Sequence, residues 1–498
     1  MASLSAATAS ATVRSSAWIS ATSSRADSRS RFRLRGFRCS VRRSSSMAGS
    51  GGRVYGLPAA RAGGSKLTIR AWRRMTPTPP RNASTAHPTA DPTSDLLVRA
   101  RHLAPELVAL RREFHRHPEL SFQEHRTAAR VAEALRGMGY EVRTGVARTG
   151  VVAELRVGPE GGADAGSSRT VALRADMDAL PIQEANAHDF VSETPGVMHA
   201  CGHDAHVAGL LGAARLLADL QREGHLPTGR VRLLFQPSEE TMDAEGKSGG
   251  RRMAEEGAMA GVHAVVGLHV GAHLECGRVY LAPGPFFGGA DTIHIRVEGR
   301  AAHAARPHEG VDALVLAAQG VLAAQMAVSR RIAPERRGVV SLGTIRGGVA
   351  HNIVCDRVEI EGTLRYFEPE VRAALRQAVT EAFTALETQG ATVQVTFVDG
   401  YPPVVNDAAT TTRVRAASAR VAGAGVLMSE EASEAAMTAE DFSFLAARAP
   451  GAFFWLGAAL PDAREHHHPR FDIDEEVIPL GAALLAGAAI ELLNPEPR

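Results

Sequence analysis

One octet of the chain, His199–His206, combines several side chains that bind metal ions. It reads H-A-C-G-H-D-A-H. Cys201 and His203 are two positions apart, so both can approach one ion from a turn, and a thiolate with an imidazole suits Zn, Fe or Ni better than Ca or Mg. The octet is also compatible with an ordinary turn and helix start. A metal site therefore requires ligands from other segments.

Polar residues that follow three apolar runs supply such candidates. They are Asp176, Asp178, Glu239, Glu240 and His269. In open α/β sheets the binding crevice lies beyond the carboxyl ends of the strands, so three strands would bring these groups to one rim. A single acid at a strand end is usually a solvated turn residue, but adjacent carboxylates repel unless a cation or a proton intervenes. One of the adjacent glutamates can bind metal while the other transfers protons.

The elements that must position these residues are buried strands and the helices between them. The apolar runs span 151–157, 171–173, 231–235 and 264–268. Helical spacing extends over 96–115 and 124–138, and another helix follows Asp204, which we expect to be its N-cap. Continuous apolar strands that alternate with helices predict an α/β fold with a mainly parallel sheet covered on both faces.

From residue 290 the pattern changes to β-α-β-β-α-β. The predicted strands are 292–297, 339–345, 358–366 and 393–398, and the predicted helices are 311–328 and 371–386. This order is the ferredoxin-like arrangement. We therefore expect a lid domain over 290–400, inserted into a catalytic domain formed by 91–289 and 401–498, with glycine hinges at both junctions.

Three polar residues of this insert could contact a substrate. His303 lies in a loop of small residues after a strand, where a ligand can approach closely. Asn352 and Arg365 occur in the segments H-N-I-V and G-T-L-R. Each of the three could equally be a surface residue, although Arg is the usual binder of a substrate carboxylate.

A histidine triplet near the C-terminus offers a last ligand. His466, His467 and His468 stand in E-H-H-H-P-R-F-D. A polar loop would also explain the triplet. Because a thiol, imidazoles and a carboxylate pair are already expected at the rim, we expect one of the three to complete the site.

The first ninety residues differ from the rest of the chain. Residues 1–90 hold sixteen Arg or Lys and a single acid, Asp27, whereas 91–498 hold 40 basic and 53 acidic residues. An Arg-rich, Ser-rich and acid-poor N-terminus is typical of an organelle transit peptide. We expect import into the chloroplast or, alternatively, the mitochondrion; a basic tail that binds nucleic acid is the other interpretation.

The cysteines and the apolar runs of the sequence indicate the kind of compartment and the kinds of partner to expect. Outside the leader the cysteines are Cys201, Cys276 and Cys355, which make no disulfide framework and favour a reducing compartment. No run of eighteen apolar residues occurs, so no transmembrane segment is expected. We expect neither a membrane nor a nucleic acid as partner.

Several motifs in order resemble the metallo-aminoacylase and carboxypeptidase superfamily, in particular its amidohydrolase branch with hippurate hydrolases and auxin-conjugate (indole-3-acetyl-amino acid) hydrolases. The resemblance runs from about 103 to 493. It rests on F-H-R-H-P-E-L-S-F-Q-E, R-A-D-M-D-A-L-P, H-A-C-G-H-D-A-H, Q-P-S-E-E, G-L-H-V, H-A-A-R-P-H-E-G, A-E-D-F-S and H-H-P-R-F-D. After Glu240 the chain departs from the family's short glycine-rich turn with a longer loop, whose Asp243 and Glu245 could alter the rim.

The resemblance implies a role for each matched residue. The implied ligands of two divalent ions, Mn or Zn with Co as a further candidate, are Cys201, His203, Glu240, His269 and His467. Glu239 matches the general acid/base and Asp178 the acid that supports the site. His303, Asn352 and Arg365 fall on positions implicated in substrate or oxyanion contact.

These assignments predict hydrolysis of the amide bond of an N-acyl amino acid, such as an auxin conjugate or a hippurate-like substrate. Glu239 would carry the proton from water to the departing amine. Two alternatives remain: a thiol amidohydrolase in which Cys201 is the nucleophile, and a metal-binding homologue without catalysis. The sequence is compatible with a monomer and with a homodimer that forms through the lid domain.

Overall fold

The structure is a computed structural model, which describes residues 93, 95–158, 169–433, 435–462 and 464–495. The leader and its predicted transit peptide lie outside the described residues. The helices are α1 Leu96–His102, α2 Ala104–Arg116, α3 His125–Gly137, α4 His203–Arg222, α5 Gly249–Glu255, α6 Ala313–Arg331, α7 Pro369–Thr384, α8 Ala408–Ala422, α9 Phe442–Ala446 and α10 Val477–Leu493. The strands are β1 Glu141–Val146, β2 Gly150–Val157, β3 Thr170–Asp176, β4 Gly229–Gln236, β5 Ala264–Gly271, β6 Val279–Tyr280, β7 Gly284–Phe287, β8 Gly289–Glu298, β9 Gly338–Gly347, β10 Arg357–Tyr366, β11 Thr392–Asp399, β12 Val404–Asn406 and β13 Gly451–Gly457.

A seven-stranded sheet in the order β1-β2-β4-β3-β5-β13-β6 carries the candidate site. Its four middle strands, β4, β3, β5 and β13, are parallel, which confirms the predicted α/β fold with a mainly parallel central sheet. β2 instead pairs antiparallel with β4, and β1 pairs antiparallel with β2 because the chain reverses between them through Ala147 and Arg148, both at positive φ. The parallel strands place their carboxyl ends at one edge.

Both faces of this sheet are covered by apolar side chains, as the strand composition predicts. On one face α4 and α10 are buried over most of their length and pack against each other. On the other face Phe442, Phe453 and Met253 belong to a second buried cluster. Since β3, β5 and β13 are buried along their whole length, their apolar runs do not alternate with polar residues.

Two predicted helix features are wrong in detail. The predicted helix over 96–115 is divided at Leu103, because Pro105 occupies the first turn of α2 and cannot donate an internal hydrogen bond. Asp204 is not the N-cap of α4: that position is Gly202, at φ 95°, and Asp204 lies in the first turn. The Asp204 carboxylate is buried and forms an ion pair of 2.9 Å with Arg111.

The segment between Gly289 and Asp399 forms a separate antiparallel sheet in the order β11-β8-β10-β9. Its elements follow the predicted β-α-β-β-α-β order, with α6 and α7 packed against each other and against the sheet. Buried Ile293, Ile295 and Val297 alternate with exposed residues along β8, so one face of the sheet is covered. By length and composition alone, α6 is the one described helix that could cross a membrane, and a third of that stretch is buried inside the protein.

Candidate metal centre

The carboxyl ends of β3, β4 and β5 meet the start of α4 at the floor of an open cavity of about 910 Å³. Besides Arg365 of the insert, six of the residues singled out in the sequence line it: Cys201, Glu239, Glu240, His269, His466 and His467. They come from the α4 turn, the β4 end, β5 and the loop before α10. Four distant segments thus supply side chains to one cavity.

The donor atoms of the predicted ligands lie at the spacing that a metal ion requires. A tetrahedral ion with bonds of about 2.0–2.3 Å holds neighbouring donors roughly 3.3–3.6 Å apart. Cys201 Sγ is 3.4 Å from His269 Nε2. Glu240 Oε1 is 3.2 Å from His467 Nε2 and 3.9 Å from His203 Nε2. Small adjustments would let a cation contact each of these pairs.

Two of these atoms are buried without an aligned hydrogen bond. His203 Nε2 and Glu240 Oε1 have no aligned hydrogen-bond partner among the described residues. Leaving a buried polar atom unpaired costs about 1–3 kcal/mol, which an ion would offset. Burial, followed by the charges of Glu240 and Glu239, raises the pKa of the Cys201 thiol, so a thiolate here requires a cation. The donor set therefore fits divalent ions.

The imidazoles of two candidate ligands are held by hydrogen bonds on the nitrogen opposite to the candidate donor. His203 Nδ1 lies 2.9 Å from the backbone carbonyl of Asp178, and His269 Nδ1 lies 2.8 Å from the carbonyl of Val270. In a neutral ring a donor at Nδ1 would leave the lone pair on Nε2, which is how proteins orient histidine ligands. Both Nε2 atoms belong to the donor pairs described above.

Asp178 holds the loop that carries the two glutamates. Its carboxylate accepts the backbone N–H groups of Glu239 and Glu240, each at 3.1 Å, and the Ser121 hydroxyl at 2.6 Å. Glu124 accepts the N–H of the preceding residue, Ser238, which has a φ of 46°. Two buried carboxylates therefore fix three consecutive peptides in a strained turn. Asp178 thus lies where it can position both glutamates.

The cavity floor carries more negative than positive charge. Burial, then the charges of Glu440 and Glu240, raises the pKa of Glu239 well above its usual value. Beneath it the buried Arg174 pairs with Asp176 at 2.6 Å and with Glu440 at 2.9 Å. Glu239 is therefore a carboxyl group that holds a proton readily, as a general acid/base must.

Of the histidine triplet, His467 is the member that approaches Glu240. It has a φ of 57°, in the left-handed region that a non-glycine residue rarely adopts. His466 instead lies 3.0 Å from the Val270 carbonyl through Nε2, and His468 Nδ1 accepts the N–H of Arg470. The structure therefore separates three adjacent histidines into three environments.

The predicted substrate residues of the insert are divided between two places. Arg365 lines the cavity, and no hydrogen bond or ion pair joins its guanidinium to another described side chain. His303 and Asn352 are exposed and lie side by side, with the N–H of Ala304 donating to the Asn352 carbonyl. Neither lines the cavity, and their substrate role stays a prediction.

The long loop after Glu240 does not place its acids at the rim. Asp243 is 3% exposed and forms ion pairs with Arg148 and Arg252. Its carboxylate also accepts the backbone N–H of Lys247, which closes the loop on itself. The cavity is instead lined by Thr241 and Met242. The expectation that Asp243 and Glu245 alter the rim is therefore wrong, because arginines outside the cavity bind them.

Sequence reasoning missed several residues of the site. Tyr401 donates its hydroxyl to the Glu239 carbonyl at 2.6 Å, and the aromatic rings of Phe287 and Trp455 line the cavity. Glu124 belongs to the F-H-R-H-P-E-L-S-F-Q-E motif, so the sequence marked it as a matched residue, but no role was predicted for it. The two rings and Tyr401 reach the cavity from β7, β13 and the end of the insert, and nothing in the local sequence marks them.

This fold and this set of donors define the class of metal-binding hydrolases that cleave amide bonds. The profile of peptidase family M20/M25/M40 matches residues 172–491, and the chain belongs to that family. It is 38% identical to the N-acetyl-L-cysteine deacetylase of Bacillus subtilis, over 79% of this chain and 89% of the relative. It is 36% identical to the IAA-amino acid hydrolase ILR1-like 2 of Arabidopsis thaliana, over 78% of this chain and 85% of the relative.

A solved structure shows the same architecture. The YXEP protein of Bacillus subtilis, described as a dinuclear metal-binding peptidase of the M20 family, superposes with a TM-score of 0.67. The two sequences are 30% identical, and the match covers 79% of this chain and 99% of that one. The fold and the amidohydrolase branch expected from the sequence are thereby confirmed.

Proposed function

We propose that the chain hydrolyses the amide bond of N-acyl amino acids and uses two divalent cations. The observation that carries this proposal is the juxtaposition of Glu239, a buried carboxyl group with a raised pKa, with His203 Nε2 and Glu240 Oε1, which are buried without an aligned hydrogen-bond partner; donor atoms of these three residues lie within 4.8 Å of one another. The printed activities of the two relatives, a deacetylase and an amino acid conjugate hydrolase, support this substrate class.

The proposed ligands of the ions are Cys201, His203, Glu240, His269 and His467. Such ions polarise a carbonyl oxygen and make a water molecule more acidic. Thiolate and imidazole suit Zn, while carboxylate and imidazole also accept Mn, and Co is a further candidate. Two of these ligands, His203 and His269, are held in advance by hydrogen bonds of their Nδ1 atoms to backbone carbonyls.

Glu239 would accept a proton from the attacking water and return it to the departing amine. Its backbone is fixed by Asp178 at the N–H and by Tyr401 at the carbonyl, so the residue that carries the carboxylate is held in place. A positioned general base of this kind contributes about 10²–10⁴ in rate. Asp178 has no direct part in that transfer and acts by holding the loop.

The cavity offers two further contacts to a substrate. The unpaired guanidinium of Arg365 would bind the carboxylate of the amino acid part. Phe287 and Trp455 are 4.9 Å apart and offer an apolar wall for an aromatic acyl group, such as the indole of an auxin conjugate or the ring of a hippurate-like substrate. His303 and Asn352 remain proposed oxyanion or substrate contacts of the insert.

The decisive experiment combines Glu239→Gln with metal analysis. Turnover should fall by about 10²–10⁴ while metal content stays at the wild-type value, because Glu239 is not a proposed ligand. Glu245→Gln, an exposed carboxylate further along the same loop, is the control and should keep full activity. Normal turnover in Glu239→Gln would refute the assignment.

The preferred substrate can be identified with a panel of acetyl, benzoyl and indole-acetyl amino acids. The metal-stripped protein is reloaded with Mn, Zn or Co, and kcat/KM is measured for each pair. An aromatic preference is expected from the apolar wall. Metal binding without turnover on the whole panel would favour the non-catalytic alternative.

The alternative thiol mechanism is disfavoured by the surroundings of Cys201. A nucleophilic cysteine needs a lowered pKa, whereas burial and three neighbouring carboxylates raise that of Cys201. Loss of activity with a chelator and its recovery with Mn or Zn would exclude the thiol mechanism. Alkylation that inactivates an enzyme insensitive to chelators would support it.

Two further proposals concern location and assembly. We propose import into the chloroplast, with the mitochondrion as alternative, and a fusion of residues 1–90 to a fluorescent protein tests it in plant cells. A homodimer through the insert would cover the exposed side chains of Leu322 and Met326 on α6 and Ile345 on β9. Sedimentation of the wild type and of Leu322→Glu should then give different masses.

A further inference from the structure

A second group of metal-binding side chains lies apart from the proposed centre. His115 belongs to the last turn of α2, and Glu184 and His188 belong to the loop that precedes α4. We call these three residues the His115 cluster. None of them lines the large cavity, and none is a proposed ligand of the two ions.

The donor atoms of the His115 cluster are spaced as around one ion. Glu184 Oε1 is 3.2 Å from His115 Nε2 and 3.3 Å from His188 Nε2. All three atoms lie within 4.8 Å of one another. Donors around a tetrahedral Zn²⁺ with bonds of about 2.0–2.1 Å lie roughly 3.3 Å apart. Two imidazoles and one carboxylate are moreover a known ligand set for Zn²⁺, with the fourth position open to water.

The surroundings hold these donors in place. Asp204 lies 2.8 Å from His115 Nδ1, so that nitrogen donates to a carboxylate and Nε2 faces Glu184. The other oxygen of Glu184 accepts the backbone N–H of Ser192 at 2.6 Å. A carboxylate behind a histidine and a fixed carboxylate ligand are the supporting contacts that metal sites use.

His188 is the member whose role is otherwise unexplained. Both of its ring nitrogens are buried and have no aligned hydrogen-bond partner among the described residues. Its ring stacks on Phe190, with centroids 3.7 Å apart and planes 9° from parallel. Burial lowers its pKa, so the imidazole is neutral and has a lone pair to offer. Buried polar groups normally find a partner, and an ion bound at Nε2 would be one.

We propose that the His115 cluster binds one divalent cation of the Zn²⁺ type, in addition to the two at the cavity floor, through His115 Nε2, Glu184 Oε1 and His188 Nε2. The cation would take the place of the proton that otherwise lies between His115 and Glu184. It would join the end of α2 to the loop that leads to Cys201 and His203. Its role is to hold that loop, since the cluster does not contact the cavity.

The test compares metal content between variants of the full chain. Wild type, His188→Ala and Glu184→Gln are equilibrated with a zinc buffer, freed of unbound metal and analysed by plasma mass spectrometry. Both variants should hold one ion fewer per chain than wild type. His225→Ala removes an exposed imidazole elsewhere and should match wild type. His188 is partly exposed, so its truncation is compatible with folding.

Two further readouts separate this site from the proposed catalytic centre. The rate of hydrolysis by His188→Ala should remain within about twofold of the wild-type rate. Adding Zn²⁺ to the metal-stripped wild type should slow hydrogen exchange over residues 181–198. Adding Zn²⁺ to metal-stripped His188→Ala should not change that exchange. Equal metal content in wild type and His188→Ala overturns the proposal, because a proton alone then joins His115 to Glu184. This comparison does not depend on which reaction the protein catalyses, because it measures only the difference in metal content per chain between wild type and variant.

Discussion

Replacing Asp178 by Asn tests whether the loop at Glu239 and Glu240 is held by a carboxylate. Asn keeps the volume but offers one oxygen and one NH₂ group. In either orientation of the amide, one of the two backbone N–H groups then faces a donor instead of an acceptor. Loss of one hydrogen bond to a charged acceptor costs about 1.5–3 kcal/mol.

If this hydrogen bond keeps Glu240 in the position that binds the ions, its loss makes the free energy of metal binding less favourable by the same amount. At 1.4 kcal/mol per factor of ten, the expected loss is roughly 10- to 150-fold. The range agrees with the roughly 10- to 100-fold losses that removal of a ligand's supporting partner causes. Competition with a chromophoric chelator measures the affinity, and urea unfolding of the metal-stripped protein measures the stability.

Asp243→Asn is a matched control in the same loop. Asp243 has a side chain that is 3% exposed and accepts the backbone N–H groups of Glu245 and Lys247, but it lies outside the cavity. It should lower stability by a similar amount and leave metal affinity unchanged. The reasoning is refuted if Asp178→Asn binds metal like wild type, or if Asp243→Asn weakens binding as much.

Three further substitutions have definite expected outcomes. Arg365→Ala should raise KM about tenfold or more for carboxylate substrates with kcat little changed, measured by steady-state kinetics; an equal fall in kcat with constant KM would contradict a binding role. Gly202→Ala should lower metal content, because an added Cβ would lie 2.3 Å from Val270 Cγ2 and φ is 95°; wild-type content would show that the turn adapts. Asp204→Asn should lower the free energy of unfolding by about 3–5 kcal/mol at pH 7, because it leaves the buried Arg111 without its closest partner. Although burial opposes it, the charges of Arg111 and His115 hold the pKa of Asp204 below its usual value, so this stability is present above pH ~4 and is lost as pH falls. Denaturant curves at pH 7 and pH 3 should therefore show a smaller difference between variant and wild type at the lower pH.

The fold was predictable where local sequence and burial agree. The continuous apolar runs of β3, β4 and β5 follow from burial on both faces, and the β-α-β-β-α-β order follows from the change of period after residue 290. The turn between β1 and β2 was not predictable in detail, because Ala147 and Arg148 adopt positive φ, which such residues rarely do. The N-cap of α4 was misassigned because Asp204 has a partner 93 residues away, Arg111, which outweighs the local capping preference.

The site was predictable as a set of donors but not as an arrangement. The residue types of Cys201, His203 and Glu240 identify them as ligand candidates at any position in the fold. What Asp243 binds depends on Arg148, which lies 95 residues earlier in the chain, and no spacing rule connects them. Supporting groups such as Tyr401 act through a backbone carbonyl, and such contacts leave no pattern in the sequence.

The excess of buried carboxylates at the cavity floor favours the binding of cations there. Glu239, Glu440 and Asp441 all have raised pKa values, chiefly through burial, because Arg174 cannot balance all the acids around it. Buried carboxylates that repel one another must take up protons or bind cations. Protons would leave Cys201 a neutral thiol, and a proton on His203 Nε2 would have no partner closer than the Asp176 and Glu240 carboxylates at 3.7 and 3.9 Å. Divalent ions would neutralise the same charges, engage both of those donors and leave Glu239 free to carry a proton, so the electrostatics and the donor geometry favour the same occupant.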